Sequence, residues 1–536
     1  MEPARAPALS CCRCALLKEL FDPTASLRRL VPCICSKRSG GARLGALDGV
    51  RSFALMWVFS MHYQCAALAL DTFNEDVANG EVWYKAQSLW WWQPVFTGIY
   101  GVDVFFVLSG LLMARGYLKR DAADEAEPCG PVRAFARRYC AFLVRRFFRL
   151  WPMVAVAVLT GLFYVAFGVK SAFADMWSKW SWRYLTLTPN LFPNRQQFRY
   201  LIHLWSVGTE FQMYALTPFI CEAVYDRKAG IARKHGYLVL GLLSAASTGL
   251  RFWWVFGPAN MGTLPFLNGV SGGGPSALYF HPLARISPYL SGIAACLALE
   301  SASSSAPRSA HDTSSSKEEP SSPEEQMPSW CTFLVNVVLD LVALAGIAGA
   351  AFFGGSHDIV TVFMFELLGG MQGVRVAACI TAPLLGWSLA RVIYRAVTAE
   401  EPAEGTCAWG RLLPWRCVRA FLCWQVWRPI ALLSYSTYIM QWYAMVPALE
   451  LVRALGWGWA DMGADWMGVA AARYLGGYFV FLSVSMLVAL PCHFVVENPG
   501  MKSGKFAEGV VLRCLTPKRP VLEQPAPVTG LPAHMV

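Results

Sequence analysis

LDGVRSFALMWVFSMHYQCAALAL, residues 47–70, is an almost wholly apolar span that carries an arginine at 51 and a histidine at 62. Its 24 residues suffice for a helix to cross a hydrocarbon core about 30 Å thick. A rise of about 1.5 Å per residue moves His62 roughly 16 Å along the axis from Arg51, about half of that thickness. The step between them is close to three whole turns, so both side chains share one face, Arg51 at the membrane border and His62 near mid-membrane. Such a face is expected to be lined by protein or water rather than by lipid.

The rest of the chain has the same character. Its 536 residues are 55% hydrophobic, 14% aromatic and only 15% charged, and the mean hydropathy is +0.39. These values predict an all-α polytopic membrane protein. The net charge of +11 does not point to nucleic acid, because the Lys and Arg residues fall in loops between apolar spans, the pattern that orients a membrane protein. The 17 cysteines are scattered, several of them inside apolar spans, so no disulfide framework is expected. Cys11, Cys12, Cys14, Cys33 and Cys35 sit in a basic tail and read as free thiols, with palmitoylation or a zinc site as alternatives. With no short apolar leader before Leu47, the first span is expected to act as an uncleaved signal anchor.

In chain order, residues 1–46 form the basic, Cys-rich tail, cytosolic by its charge. Apolar spans follow at about 47–70, 96–116, 147–168, 203–225, 236–256, 283–299, 331–354, 373–397, 429–451 and 468–493, about ten in all, while the run 359–371 is too short to cross alone. Basic clusters such as Arg137, Arg138, Arg145 and Arg146, or Arg411, Arg416 and Arg419, follow even-numbered spans, which puts both termini and the Arg51 edge in the cytosol. The segment before His203, with Lys170, Lys179, Arg183, Arg195 and Arg199, is the exception. Residues 300–328, rich in Ser, Pro and Glu, cannot bury a core and are expected to be a disordered cytosolic loop. The membrane domain is therefore placed at 47–499, with that loop inserted, and 500–536 as a cytosolic tail. Without an Asn-x-Ser/Thr sequon the pattern does not distinguish plasma membrane, ER or Golgi.

Six stretches, in this order along the spans, resemble the membrane-bound acyltransferase family 3, whose members O-acylate carbohydrates and other hydroxyl acceptors. They are LDGVRSFALMWVFSMH, GVDVFFVLSGLL, RRFFRLWP, HLWSVGTEFQMYALTP, LSYSTYIM and HFVVENP. HPLARISPYLSG resembles the eukaryotic nose-resistant-to-fluoxetine-like branch, whereas WSVGTEFQMY is closer to the bacterial form. The resemblance covers most of residues 47–499 and implies transfer of an acyl group, expected to be acetyl, from a cytosolic acyl-CoA. The acceptor would be a carbohydrate or lipid hydroxyl at or across the membrane. Acyl-CoA would be a co-substrate, with no permanently bound cofactor, no metal and no nucleic acid.

His62 matches the family's proposed catalytic base. Independently, burial favours the neutral imidazole, the form able to take a proton from an attacking hydroxyl. The alternative is a histidine satisfied by a neighbouring helix. Arg51, Arg145, Arg146 and Arg149 lie at helix ends where forked guanidinium groups would meet donor phosphates, or where they would merely anchor the helices in the interface. The family counterparts of Arg146 and Arg149 are implicated in donor binding.

Asp103 and Glu210 are costly carboxylates inside spans two and four, each in need of a partner among His62, Arg285, Ser109, Ser206 and Tyr214. Either could orient His62, Glu210 with the stronger resemblance, while Asp103 could equally bond helix to helix. Trp205, Gln212, Tyr214, Tyr435 and Tyr438 are candidates for substrate contact, with packing as the alternative. Glu497, at the inner end of the last span, is expected to tie down neighbouring arginines. One departure stands out: where the family's closing motif often carries a His, this chain has Gln441. Two other classes therefore remain open, a transporter or lipid-handling protein without covalent chemistry and a catalytically inactive relative.

Overall fold

A computed structural model describes residues 45–71, 89–119, 130–167, 174–191, 201–227, 229–257, 277–304, 329–353, 366–399, 414–457 and 471–515. The Cys-rich tail, residues 305–328 and the segment after 515 lie outside these described residues, as do the readings made on them. Thirteen helices carry the architecture: α1 (Ala46–Asp71), α2 (Gly101–Leu118), α3 (Pro131–Ala166), α4 (Ala174–Leu185), α5 (Trp205–Val224), α6 (Gly236–Phe256) and α7 (Pro282–Ser304). They are followed by α8 (Ser329–Phe353), α9 (Met371–Thr398), α10 (Pro414–Leu422), α11 (Trp427–Ala454), α12 (Ala471–Cys492) and α13 (Asn498–Leu515). Among the described residues the strands are one two-residue antiparallel pair, Tyr225–Asp226 with Ile231–Ala232.

Among the described residues, six helical segments are long and apolar enough to cross a membrane: Trp90–Leu118, Gly236–Phe256, Pro282–Ala302, Phe333–Phe353, Gln372–Thr398 and Ala471–Leu515. Each coincides with an expected span. The other four expected spans fall on α1, α3, α5 and α11, long helices that carry Arg51 and His62, the Arg145–Arg149 cluster, Glu210 with its polar neighbours, and the Ser434–Gln441 run. Helix α3 also begins 16 residues before the expected third span, at Pro131 rather than 147. Residues 498–515, mostly assigned to a tail, fold instead as α13, which packs along α3.

Helix α7 is the spine of one half of the bundle, packed against α2, α6 and α9. Its closest approach to α2 depends on two glycines. A side chain at Gly110 would meet the Tyr289 carbonyl, and one at Gly292 would meet the Val107 carbonyl. Small residues let helix backbones approach where dispersion rather than water drives association. Gly292→Val is therefore expected to separate α2 from α7 and cost about 1–3 kcal/mol, seen as a lower unfolding midpoint in detergent. An unchanged midpoint would contradict this crossing.

In the other half α11 packs on α12 and α1, and α5 lies against α2 and α3. Between α12 and α13 the backbone widens into a π-helical turn, His493–Glu497. Glu497 accepts the Ser436 hydroxyl at 2.5 Å and bonds His493 Nδ1 at 2.8 Å. These two partners correct the expectation of neighbouring arginines. Three buried polar groups satisfy one another there, without a guanidinium.

Candidate active site

Five helices bring eight of the expected residues to one cavity with about 720 Å³ of empty space, part of it open to solvent. Helix α1 contributes Arg51, α2 Ser109, and α3 Arg149; α5 contributes Ser206, Glu210 and Tyr214, and α11 Tyr435 and Tyr438. Along α2 the lining runs from Val102 to Met113, about 16 Å of helix rise.

Arg51 and Arg149 feel each other's charge and, among the described residues, make no hydrogen bond or ion pair. Two half-buried guanidinium groups without partners on a cavity wall are a ready site for an oxyanion, because their forked donors match phosphate oxygens. Arg146 stands close behind, in electrostatic range of Arg149, its guanidinium 5.3 Å from the Phe142 ring centre. Arg145 does not join them; it is drawn to Glu508 on α13 at 3.3 Å.

Glu210 accepts the hydroxyls of both Ser109 and Tyr214, which offset the burial of its charge. Those two hydroxyls, and not His62, are its partners. Asp103 is bonded to Arg285 Nη1 at 2.6 Å, and both are almost wholly buried. Arg285 also donates through Nε to the Tyr279 carbonyl at 2.9 Å and lies over the Tyr279 and Trp205 rings. Asp103 thus joins α2 to α7 and has no bond to His62 among the described residues. Trp205 packs against Tyr279 and Phe280. Gln212 is spent on Asn190 and the Leu187 carbonyl, pinning the segment that precedes α5.

His62 does not line the cavity. It lies just past Tyr438, ring centre to ring centre 6.5 Å, and its Nδ1 is 2.7 Å from Gln441 Oε1. The Tyr438 hydroxyl is held by the His203 carbonyl at 2.9 Å and by Ser206 Oγ at 2.8 Å. Tyr438 is therefore held in place at the end of the cavity nearest the imidazole. Two residues of this neighbourhood escaped the sequence reading as contributors. His203, which opens the fourth motif, is buried and bonds the Ile439 carbonyl through Nε2 at 3.0 Å. Gln441 was visible only as a departure from a motif; nothing local to either residue predicts that it meets His62, 379 positions away.

With this geometry in place, comparison with known proteins defines the class. A family profile described as an acyltransferase domain matches residues 44–492, most of the chain. The chain belongs to this acyltransferase family, as its six motifs suggested, and the apolar helices fit a multi-pass membrane member. It is also 27% identical over 223 residues to the regulator of hypoxia-inducible factor 1 of Caenorhabditis elegans, a match spanning 39% of this chain and 39% of that protein. No solved structure matches.

Proposed function

We propose that the protein is a membrane O-acyltransferase of ten transmembrane helices with both termini in the cytosol. It would move an acyl group, acetyl in the simplest case, from cytosolic acyl-CoA to a hydroxyl of a carbohydrate or lipid. The observation that carries this reading is the pair of unpartnered arginines, Arg51 and Arg149, on a cavity that ends one ring short of His62. Donor phosphates rest on Arg51 and Arg149, with Arg146 behind them. The pantetheine arm runs along α2 past Ser109, and the thioester meets the acceptor beside Tyr438.

There an imidazole nitrogen of His62 takes the hydroxyl proton as the oxygen attacks the thioester carbonyl. A C–O bond forms, the C–S bond breaks, and the imidazolium returns its proton to the departing CoA thiolate. Holding the thioester behind a fixed tyrosine keeps water from competing with the acceptor.

The donor site is tested by CoA titration of purified protein. Arg149→Ala is expected to weaken CoA about 10- to 100-fold, the loss of one or two charge-assisted bonds. Arg145→Ala, whose guanidinium is engaged by Glu508, is expected to change it much less. Unaltered CoA affinity in Arg149→Ala sinks the assignment. A second reading, a regulator without transfer chemistry, is favoured by the name of the worm relative. It predicts no label transfer from radiolabelled acetyl-CoA to membrane glycans or lipids by the wild-type protein.

A further inference from the structure

Gln441 takes the place of a histidine frequent in the family, and the contacts around it give the substitution a purpose. The side chain is fully buried. Its Nε2 donates to the Tyr438 carbonyl one helical turn back, at 2.9 Å, and its Oε1 is 2.7 Å from His62 Nδ1. The opposite orientation of the amide would set its oxygen against the Tyr438 carbonyl oxygen, two acceptors with no proton between them, so the hydrogen-bond network selects one orientation.

An amide oxygen only accepts. The proton of a neutral His62 must then be on Nδ1, and the lone pair on Nε2. The support behind this is stiff. Tyr438 contributes a backbone carbonyl of α11 to Gln441, while its own hydroxyl is tied to His203 and Ser206.

We infer that Gln441 is the positioning residue of the site, fixing His62 in the Nδ1-protonated tautomer so that Nε2 is the atom that receives the acceptor's proton. The inference rests on the transferase reading for its use, and on hydrogen bonding alone for the tautomer. An amide does this without a charge. It orients the ring as a triad carboxylate would, but adds no counter-charge for the imidazolium, which is suited to a base that must give its proton up again within one turnover.

The test uses the full-length protein in lipid nanodiscs, with isotope-labelled histidine followed by nitrogen NMR. The His62 signal is identified as the one lost in His62→Gln. The expected wild-type spectrum shows a protonated Nδ1 and a bare Nε2. Gln441→Met, similar in length but without an acceptor, is expected to release His62 into a mixture of tautomers. It should also lower kcat for transfer from acetyl-CoA to endogenous membrane acceptors by about 10- to 100-fold, with KM for acetyl-CoA within about twofold of wild type.

Gln441→Glu, whose buried carboxyl when protonated can donate to the Tyr438 carbonyl and accept from Nδ1, is expected to recover most of that loss. A wild-type His62 protonated on Nε2 overturns the inference; so does Gln441→Met with either an unchanged tautomer or an unchanged kcat. If neither wild type nor His62→Gln transfers label, the transferase reading fails instead, and the spectrum of the wild type still decides the tautomer.

Discussion

Replacing His62 by alanine is expected to lower transfer from radiolabelled acetyl-CoA by about 10²- to 10⁴-fold, the usual contribution of a positioned general base. The donor site is built by other residues. Arg51 and Arg149 line the cavity, and His62 lies past Tyr438, outside it. CoA titration of His62→Ala is therefore expected to match wild type while turnover is lost. That combination separates loss of chemistry from loss of fold, since a misfolded protein would lose both. Equal transfer by wild type and variant would remove His62 from the reaction and require another group to take the acceptor's proton.

The largest effect on stability is expected at Arg285. Its partner Asp103 has no exposed surface, and Arg285 itself is 2% exposed. Arg285→Met would leave a buried carboxylate without its hydrogen-bonded counter-charge, with only Arg251 still in electrostatic range, which costs about 3–5 kcal/mol. Removing both charges, as in Asp103→Leu with Arg285→Met, is expected to recover most of that loss, because neither charge then has to be taken out of water. Thermal unfolding of the single and double variants in detergent measures the difference. A single variant as stable as wild type would mean that water reaches Asp103, contrary to its burial.

What the sequence discloses here is what local pattern can carry. Apolar length locates the helices, and polar residues inside them mark the site: α1, α3, α5 and α11 carry its arginines, its histidine and most of its hydroxyls. The eight residues gathered on the cavity are likewise those that looked too polar for where they lay. Pairings are another matter. Asp103 and Arg285 are 182 positions apart, and their union depends on how closely α2 and α7 approach, which Gly110 and Gly292 decide.

Sequence alone left Asp103 with several possible partners and gave Glu497 the wrong ones, because burial makes any polar neighbour acceptable and only packing says which is near. The 498–515 segment misled for a different reason. It carries charged residues such as Lys502, Lys505 and Arg513, yet small residues, Gly500 and Gly504, let it lie close along α3 near Phe148 and Pro152.

The wide turn at His493–Glu497 has a consequence for the whole final rod. Residues 471–515 run without a break, but a π-helical turn holds about one residue more than an α-turn, and each residue of a helix subtends about 100°. Everything beyond the turn is thereby out of phase with what precedes it by roughly a quarter of a circle. The stripe that faces α11 in α12 is not continued in α13; a different stripe comes round to face α3. One uninterrupted helix can in this way serve two neighbours that stand on different sides of it, with the seam between the two phases placed where Ser436, His493 and Glu497 close on one another.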